Sequence, residues 1–311
     1  MLQYLVILLD DTSVSFCHAI NPAKNKRLMP LDVLHDAIFF AMKHNLMVQY
    51  VLPPYQLPVE YYHEMDSIDN VKIGLDVSVF NCIPNSINTD TVVLSISREL
   101  FIENIYMVSK ILRNAKRICV NFTNIESYKD ELNEKYEETL NILKDTIIEE
   151  LLKGKRHELN LITDRLCLSK MANCNAGVNN ITIAPNGKFY ICPAFYYDEI
   201  QLVDTGLSYK SPIYDRSVGD LKSGLSVKNE QLFQIEKSPL CKDCDAFHCN
   251  RCLWLNQKLT FEINTPSHEQ CVMSHIERRV TKSLSESFRN MGFESPIIND
   301  VDYLDPFEKT I

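Results

Sequence analysis

Seven of the eleven cysteines in this chain follow residue 170: Cys174, Cys192, Cys241, Cys244, Cys249, Cys252 and Cys271. Their spacing reads C-x12-G-x4-C, a gap, C-x2-C-x4-C-x2-C, a gap, then a last cysteine. A close pair lets two sulfurs from one tight turn grip a single soft metal centre, and distant cysteines close the cage from other loops. Packing is the competing explanation, because an unbridged cysteine is a good small hydrophobe. It suits Cys82 and Cys119, but a C-x2-C pair serves no packing purpose. The C-terminal region therefore reads as a metal-binding module.

Spacing leaves the metal open. Seven cysteines are too many for one tetrahedral zinc and one short of two four-cysteine sites, so two zinc ions would need a histidine, with His248 and His268 as candidates. Iron–sulfur clusters accept the same thiolates. Either metal would supply stability the segment lacks, since between Cys241 and Cys252 the apolar non-cysteine residues are Ala246 and Phe247. Structural zinc contributes on the order of 10–16 kcal/mol to small domains. Trp254, Leu255 and Leu259 are expected to pack beneath the site.

The elements that must position these sulfurs fall into two patterns. Through the first half, apolar β-branched runs at 4–9, 46–52, 71–77, 92–96, 117–122 and 158–162 alternate with helical stripes. One stripe begins after Pro30, another holds Leu100, Phe101, Ile105, Val108, Ile111 and Leu112, and the clearest runs from Leu132 to Leu151. Alternation of this kind predicts a parallel sheet with right-handed crossovers, and six strands in roughly 165 residues suit a partial, open (β/α)6 barrel. Past residue 165 the alternation stops. Thr182–Ala184, Pro185-Asn186-Gly187 and Lys188–Ile191 predict a hairpin with an Asn-Gly turn. Loops with one short helix are expected over 196–227, and a polar tail, surface-bound or partly disordered, after Arg289. The domain boundaries are thus 1–165, 166–289 and 290–311.

Composition narrows the partners. A net charge of -9 and a pI near 5.4 argue against nucleic acid, which favours a basic face. The apolar start meets Asp10-Asp11 at once and has neither the length of a membrane span nor the features of a signal peptide. A cytoplasmic protein follows, with no membrane partner, and in reducing cytosol clustered cysteines serve metals or redox chemistry rather than disulfides.

The order of cysteines, together with the hairpin glycine Gly187, resembles the SPASM extension. This auxiliary-cluster domain follows the core of many radical S-adenosylmethionine peptide-modifying enzymes. The match covers Cys174–Cys271, with x4 and x2 where family members usually have x5 and x3. The resemblance implies [4Fe–4S] clusters, one or two. Cys241, Cys244, Cys249 and Cys271 would hold one; Cys174, Cys192 and Cys252 would hold the other, with either Cys167 as a substitute fourth ligand or an iron left open to water or a substrate thiol.

The resemblance also implies a radical-enzyme core upstream, and there the chain departs from the pattern. Such a core carries C-x3-C-x2-C after its first strand; the corresponding loop, residues 10–21, has Cys17 alone. Cys17-His18 as a thiolate–imidazole pair is poorly placed, since adjacent residues on an extended loop rarely face one reacting atom. A Gly-Gly-Glu-Pro turn after the second strand is replaced by Leu52-Pro53-Pro54-Tyr55-Gln56-Leu57-Pro58. The whole chain is similar to the CXXX repeat peptide maturase family, on its Leu-Leu-Asp-Asp start, Ser15-Phe16-Cys17-His18, and Asn264-Thr265-Pro266-Ser267 before Cys271. The implied role is a cluster-bearing, catalytically incomplete subunit. It would act in a heterodimer with a radical S-adenosylmethionine maturase on a ribosomal cysteine-repeat precursor peptide. An independent iron–sulfur redox or thiol enzyme and a zinc-bound scaffold are the alternatives.

Overall fold

The computed structural model describes residues 2–167, 174–204, 215–238, 240–242, 244, 246, 249 and 251–298. In chain order they form β1 (Tyr4–Leu8), α1 (Leu31–His44), β2 (Met47–Val51), α2 (Val59–Met65), β3 (Asn70–Ile73), β4 (Val77–Phe80) and β5 (Thr91–Ile96). Then come α3 (Arg98–Glu103), α4 (Ile105–Leu112), β6 (Arg117–Phe122), α5 (Asn133–Leu152), β7 (Glu158–Leu159), β8 (Asn180–Ile183) and β9 (Phe189–Tyr190). The chain continues with α6 (Pro193–Asp204), β10 (Gly219–Asp220), β11 (Gly224–Leu225), α7 (Leu253–Thr260) and α8 (His268–Asn290). This is the expected mixed α/β fold on parallel strands. Among the described residues no helix is long and apolar enough to cross a membrane.

Contacts divide the chain into two compact units, residues 1–79 with 175–234 and residues 80–174 with 235–311. In the first, β1 pairs in parallel with β2 (Leu5 opposite Val48) and with β8 (Leu5 opposite Ile181). The alternating apolar positions of these strands meet the inward stripe of α1 in one core. Leu5, Ile7, Leu34, Ile38, Val48, Tyr50, Ile181 and Ile183 are buried in it. The cysteine-region hairpin therefore begins with a strand of this core sheet. Its turn closes as expected, with Gly187 at φ +73° and its N–H donated to the Ala184 carbonyl at 2.9 Å. β9 folds back antiparallel, Phe189 opposite Ile183.

The apolar run at 71–77 divides into β3 and β4. Gly74, at φ +104°, makes the bend that a side chain would resist, because a Cβ there would stand 3.3 Å from Leu52 Cβ.

In the second unit β5 pairs in parallel with β6 from Thr91–Arg117 to Ile96–Phe122, and β6 with β7. The single helical stripe read over 100–112 is two helices, meeting at Asn104. Behind β6 the rings of Phe101, Phe122 and Tyr136 pack edge to face or tilted, Phe122 to Tyr136 at 5.7 Å. The Tyr136 hydroxyl donates to the Glu277 carboxylate (2.7 Å), which also takes the Arg165 guanidinium (2.7 Å). Arg165 donates in addition to the Leu161 carbonyl (2.5 Å), and the Thr281 hydroxyl on α8 donates to the Ile162 carbonyl (2.9 Å). Arg165 and Glu277 are both nearly inaccessible. Burial raises the Glu277 carboxyl above its ordinary range, against the pull of Arg165.

Two charges taken out of water are tolerable only together, so removing one should cost about 3–5 kcal/mol. Glu277→Ala should lower unfolding stability in urea by that amount. The Arg165→Met/Glu277→Leu pair, leaving no stranded charge, should recover much of it. Equal stability of Glu277→Ala and wild type would refute the assignment.

Candidate metal centre

Four of the cysteine-region sulfurs lie on one loop in the second unit. The Ser238 carbonyl accepts the N–H groups of Cys241 (3.1 Å) and Lys242 (3.0 Å), and the Cys241 carbonyl accepts that of Cys244 (3.2 Å). Cys249 closes its own short turn onto the Ala246 carbonyl at 2.8 Å. The first turn is anchored by the Ser238 hydroxyl, which donates to the Asn264 carbonyl at 2.8 Å. Cys252 caps the start of α7, and its N–H donates to the Gln270 side chain (2.8 Å) at the start of α8. Gln270 in turn donates to Asn256 (2.8 Å), and Cys271 sits beside it in the first turn of α8, below the Ser267 cap. Two cysteines thus stand at helix N-termini, where partial positive charge favours a thiolate.

Cys241 and Cys249 are buried; Cys244, Cys252 and Cys271 are partly so. None of the eleven cysteines is part of a disulfide. The Cys249 thiol is pushed up to about 12 by burial, with further upward pressure from Cys241 and Cys244 and relief from Ser274 and Arg165. Cys241 and Cys244 thus lie close enough to oppose ionisation of Cys249, and a soft cation would relieve that, because it deprotonates the thiols it binds outright. Thiolate sulfur is the donor type that such a cation prefers. Backbone also points at the sulfur, the Ala246 N–H lying 3.4 Å from Cys244 Sγ. As they stand, no three His, Cys, Asp or Glu side chains among the described residues are arranged to hold one ion.

The histidine candidates change. His248 and Phe247 lie outside the described residues. His268 packs its ring against Tyr128 with centroids 6.4 Å apart. His275, which proximity in sequence does not single out, places Nε2 3.8 Å from Cys244 Sγ. It follows Cys271 by four residues on α8, the spacing that puts two side chains on one helix face. Trp254 and Leu255 are buried as expected.

The remaining cysteines differ in exposure and setting. Cys167 and Cys174 are exposed, and so is Cys82, against its expected packing role; Cys119 is partly buried on β6. Cys192 precedes α6 in the first unit, where the buried Tyr197 phenol hydrogen-bonds Ser15 and is disfavoured as an anion by burial, Cys17 and Cys192. Cys17 lies 3.6 Å from the Ser15 hydroxyl.

The loop at the C-terminal end of β1, where the sequence has Cys17 alone, is tied shut by oxygen and nitrogen groups. Asp10 accepts the Thr12 N–H (2.8 Å) and hydroxyl (2.5 Å), and Ser13 donates to the Val51 carbonyl (2.9 Å). Asp11 pairs with Arg27 at 2.9 Å and accepts the Tyr196 hydroxyl, which itself accepts from Arg27 at 2.7 Å. The Asn21 amide donates to the Asp11 and Ser13 carbonyls at 2.7 and 2.8 Å. Burial raises the Asp11 carboxyl despite Tyr196 and Arg27.

No protein-family model matches the chain, and no curated protein matches it. Among solved structures it is similar to native anSMEcpe with bound AdoMet and Cp18Cys peptide, at a TM-score of 0.61 and 12% identity. That match covers 93% of this chain and 100% of the other. It is similar also to hexahistidine-tagged anSMEcpe with bound AdoMet, at a TM-score of 0.56 and 13% identity, covering 93% and 96%. anSMEcpe is an anaerobic sulfatase-maturating enzyme of the radical S-adenosylmethionine, SPASM type. The chain has the mixed α/β, parallel-sheet fold of radical S-adenosylmethionine enzymes.

Proposed function

We propose that this chain is a cluster-binding, catalytically incomplete partner of a radical S-adenosylmethionine peptide maturase, handling a cysteine-rich ribosomal peptide. On this reading the N-terminal strands are a partial barrel and the region after 166 is a SPASM-like module. One observation carries the proposal: thiols are gathered at Cys241, Cys244 and Cys249, while the loop after β1 is closed by Asp10, Asp11, Arg27 and Tyr196. Cys241, Cys244, Cys249 and Cys271 would hold a [4Fe–4S] cluster. Bound, such a cluster supplies one-electron transfer. The Ala246 N–H and Ser274 would stabilise the sulfurs' charge, and burial of Cys241 and Cys249 would exclude water.

A second reading has its own support. His275, 3.8 Å from Cys244, would complete a three-cysteine, one-histidine set, the ligand set of a structural zinc. The scaffold would then carry no electron.

Metal analysis separates the two. Anaerobically purified protein should contain iron and acid-labile sulfide, and Cys249→Ala should lose about four irons, the content of one cluster. His275→Ala should retain them. Zinc at one per chain, lost in His275→Ala, would establish the scaffold reading instead.

Closure of the β1 loop gives a further expectation. With clusters reconstituted and a strong reductant supplied, the isolated chain should not cleave S-adenosylmethionine. Detection of 5′-deoxyadenosine above a protein-free control, abolished by Cys17→Ala, would contradict the catalytically incomplete role. Co-expressed with a radical S-adenosylmethionine maturase and a cysteine-repeat peptide, the chain should co-purify with the enzyme, and peptide modification should fail without it.

A further inference from the structure

A second candidate site differs from the thiols in kind and in place. A groove of about 520 Å³ runs between the segment 85–90 and α4. It sits at the N-terminal end of β5 and β6, where the Asp90 carbonyl accepts the Lys116 and Arg117 N–H groups at 2.8 and 3.0 Å. Ligands of open parallel sheets bind outside the opposite, C-terminal ends, so this groove belongs to no site described above.

Its lining has a specific chemistry. The carboxamides of Asn85 and Asn114 carry both donors and acceptors, the complement of a peptide group. Asn114 is oriented by donating one N–H to the Lys110 carbonyl at 2.7 Å. Met107 and Ile111 supply an apolar wall. On α4 and just past its end, Tyr106, Lys110 and Asn114 recur every four residues along one face, and Tyr106 is 79% exposed.

Charge selects among peptides. The chain carries -9 overall, yet cations gather at this corner. The turn holding Lys116 is joined to the turn holding Lys153, Lys155 and Arg156 by the Glu158 N–H, donated to the Lys116 carbonyl at 2.8 Å. The carboxylates nearby are engaged: Asp90 with Lys116, Glu149 with Arg113, and Glu150 with Arg113 and Lys153. Lys110, on the groove wall, and Arg156 are exposed. Neither has an ion-pair partner among the described residues.

We propose that this groove binds an extended peptide segment carrying a carboxylate side chain. The asparagine side chains would hold its main chain, Met107 and Ile111 an apolar side chain, and Lys110 the carboxylate. The partner's acidic residue would meet Lys110, the one cation among the residues that line the groove, which confines recognition to one position. Neither the thiols nor any metal takes part.

The test uses the full chain and two fluorescein-labelled hexapeptides of one sequence, one bearing glutamate and the other lysine at two central positions. Anisotropy should show saturable binding of the glutamate peptide, weakened several-fold between low and physiological salt. Lys110→Glu should weaken it at least tenfold and transfer the preference to the lysine peptide. Asn114→Ala should weaken both, with an unchanged thermal midpoint showing that the fold is intact. No saturable binding, identical binding by Lys110→Glu, or displacement of the peptide by a neutral trisaccharide would overturn the proposal.

Discussion

The thiol-bearing part of this protein depends on a buried ion pair that contains no sulfur. Glu277 and Arg165 neutralise each other beneath α8, with Tyr136 supplying a hydrogen bond to the second carboxylate oxygen. A helix carrying a buried carboxylate cannot slide by a turn, a displacement of about 5.4 Å, without stranding a charge. That constraint fixes the register of α8, and α8 presents Cys271, Ser274 and His275 within two turns of Glu277. Ser274 touches the Cys249 thiol and His275 lies against Cys244. The pair also holds the segment 163–167 against α8, which brings Arg165 into the field of Cys249. One interaction thus fixes both the frame of the sulfurs and their nearest buried cation.

The loop after β1 follows the opposite logic. Where a metal-binding loop keeps thiolates pointing into open space, this one spends most of its polar groups on itself. Asp10 holds the Thr12 N–H, Ser13 holds the next strand, and Asp11 is bracketed by Arg27 and Tyr196. Asn21 stitches the far end of the loop back to Asp11 and Ser13. A loop whose polar groups bond one another gains rigidity, although the buried Asp10 Oδ2 has no hydrogen-bond partner within it. The fold is that of radical S-adenosylmethionine enzymes, but the residues at its first loop are arranged for closure.

Much of this is legible in the residues. Strands β1, β2, β5 and β6 occupy the β-branched runs almost to the residue, since β1 and β5 are buried on both faces and β6 alternates buried with half-buried positions, both of which leave a legible pattern. The division of the run at 71–77 is signalled by Gly74, but a single glycine inside a strand pattern also marks a bulge, and only tertiary crowding against Leu52 decides. α8 escapes the sequence pattern despite Met273, Ile276, Val280 and Leu284 in helical register. Its Glu277 and Arg278 interrupt the apolar face, and a buried carboxylate reads as surface until its partner is known. His275 is hidden for a related reason. Proximity in sequence points to histidines beside cysteines, while the helix brings Cys244 and His275 together across 31 residues.

The same helix makes metal and fold interdependent. The loop from Cys241 to Cys252 has little apolar surface to bury, and Cys241 and Cys244 oppose ionisation of Cys249. A cation that binds the folded arrangement and not the unfolded chain stabilises the fold in proportion to the logarithm of its concentration over its dissociation constant. Because Ser274 and His275 reach the sulfurs from α8, that free energy bears on the register of α8 and hence on the Arg165–Glu277 pair. Linkage runs both ways: whatever holds Glu277 in place favours closure around the metal. The buried pair sets the geometry and the sulfurs supply the affinity, so neither part of the second unit is fully specified without the other.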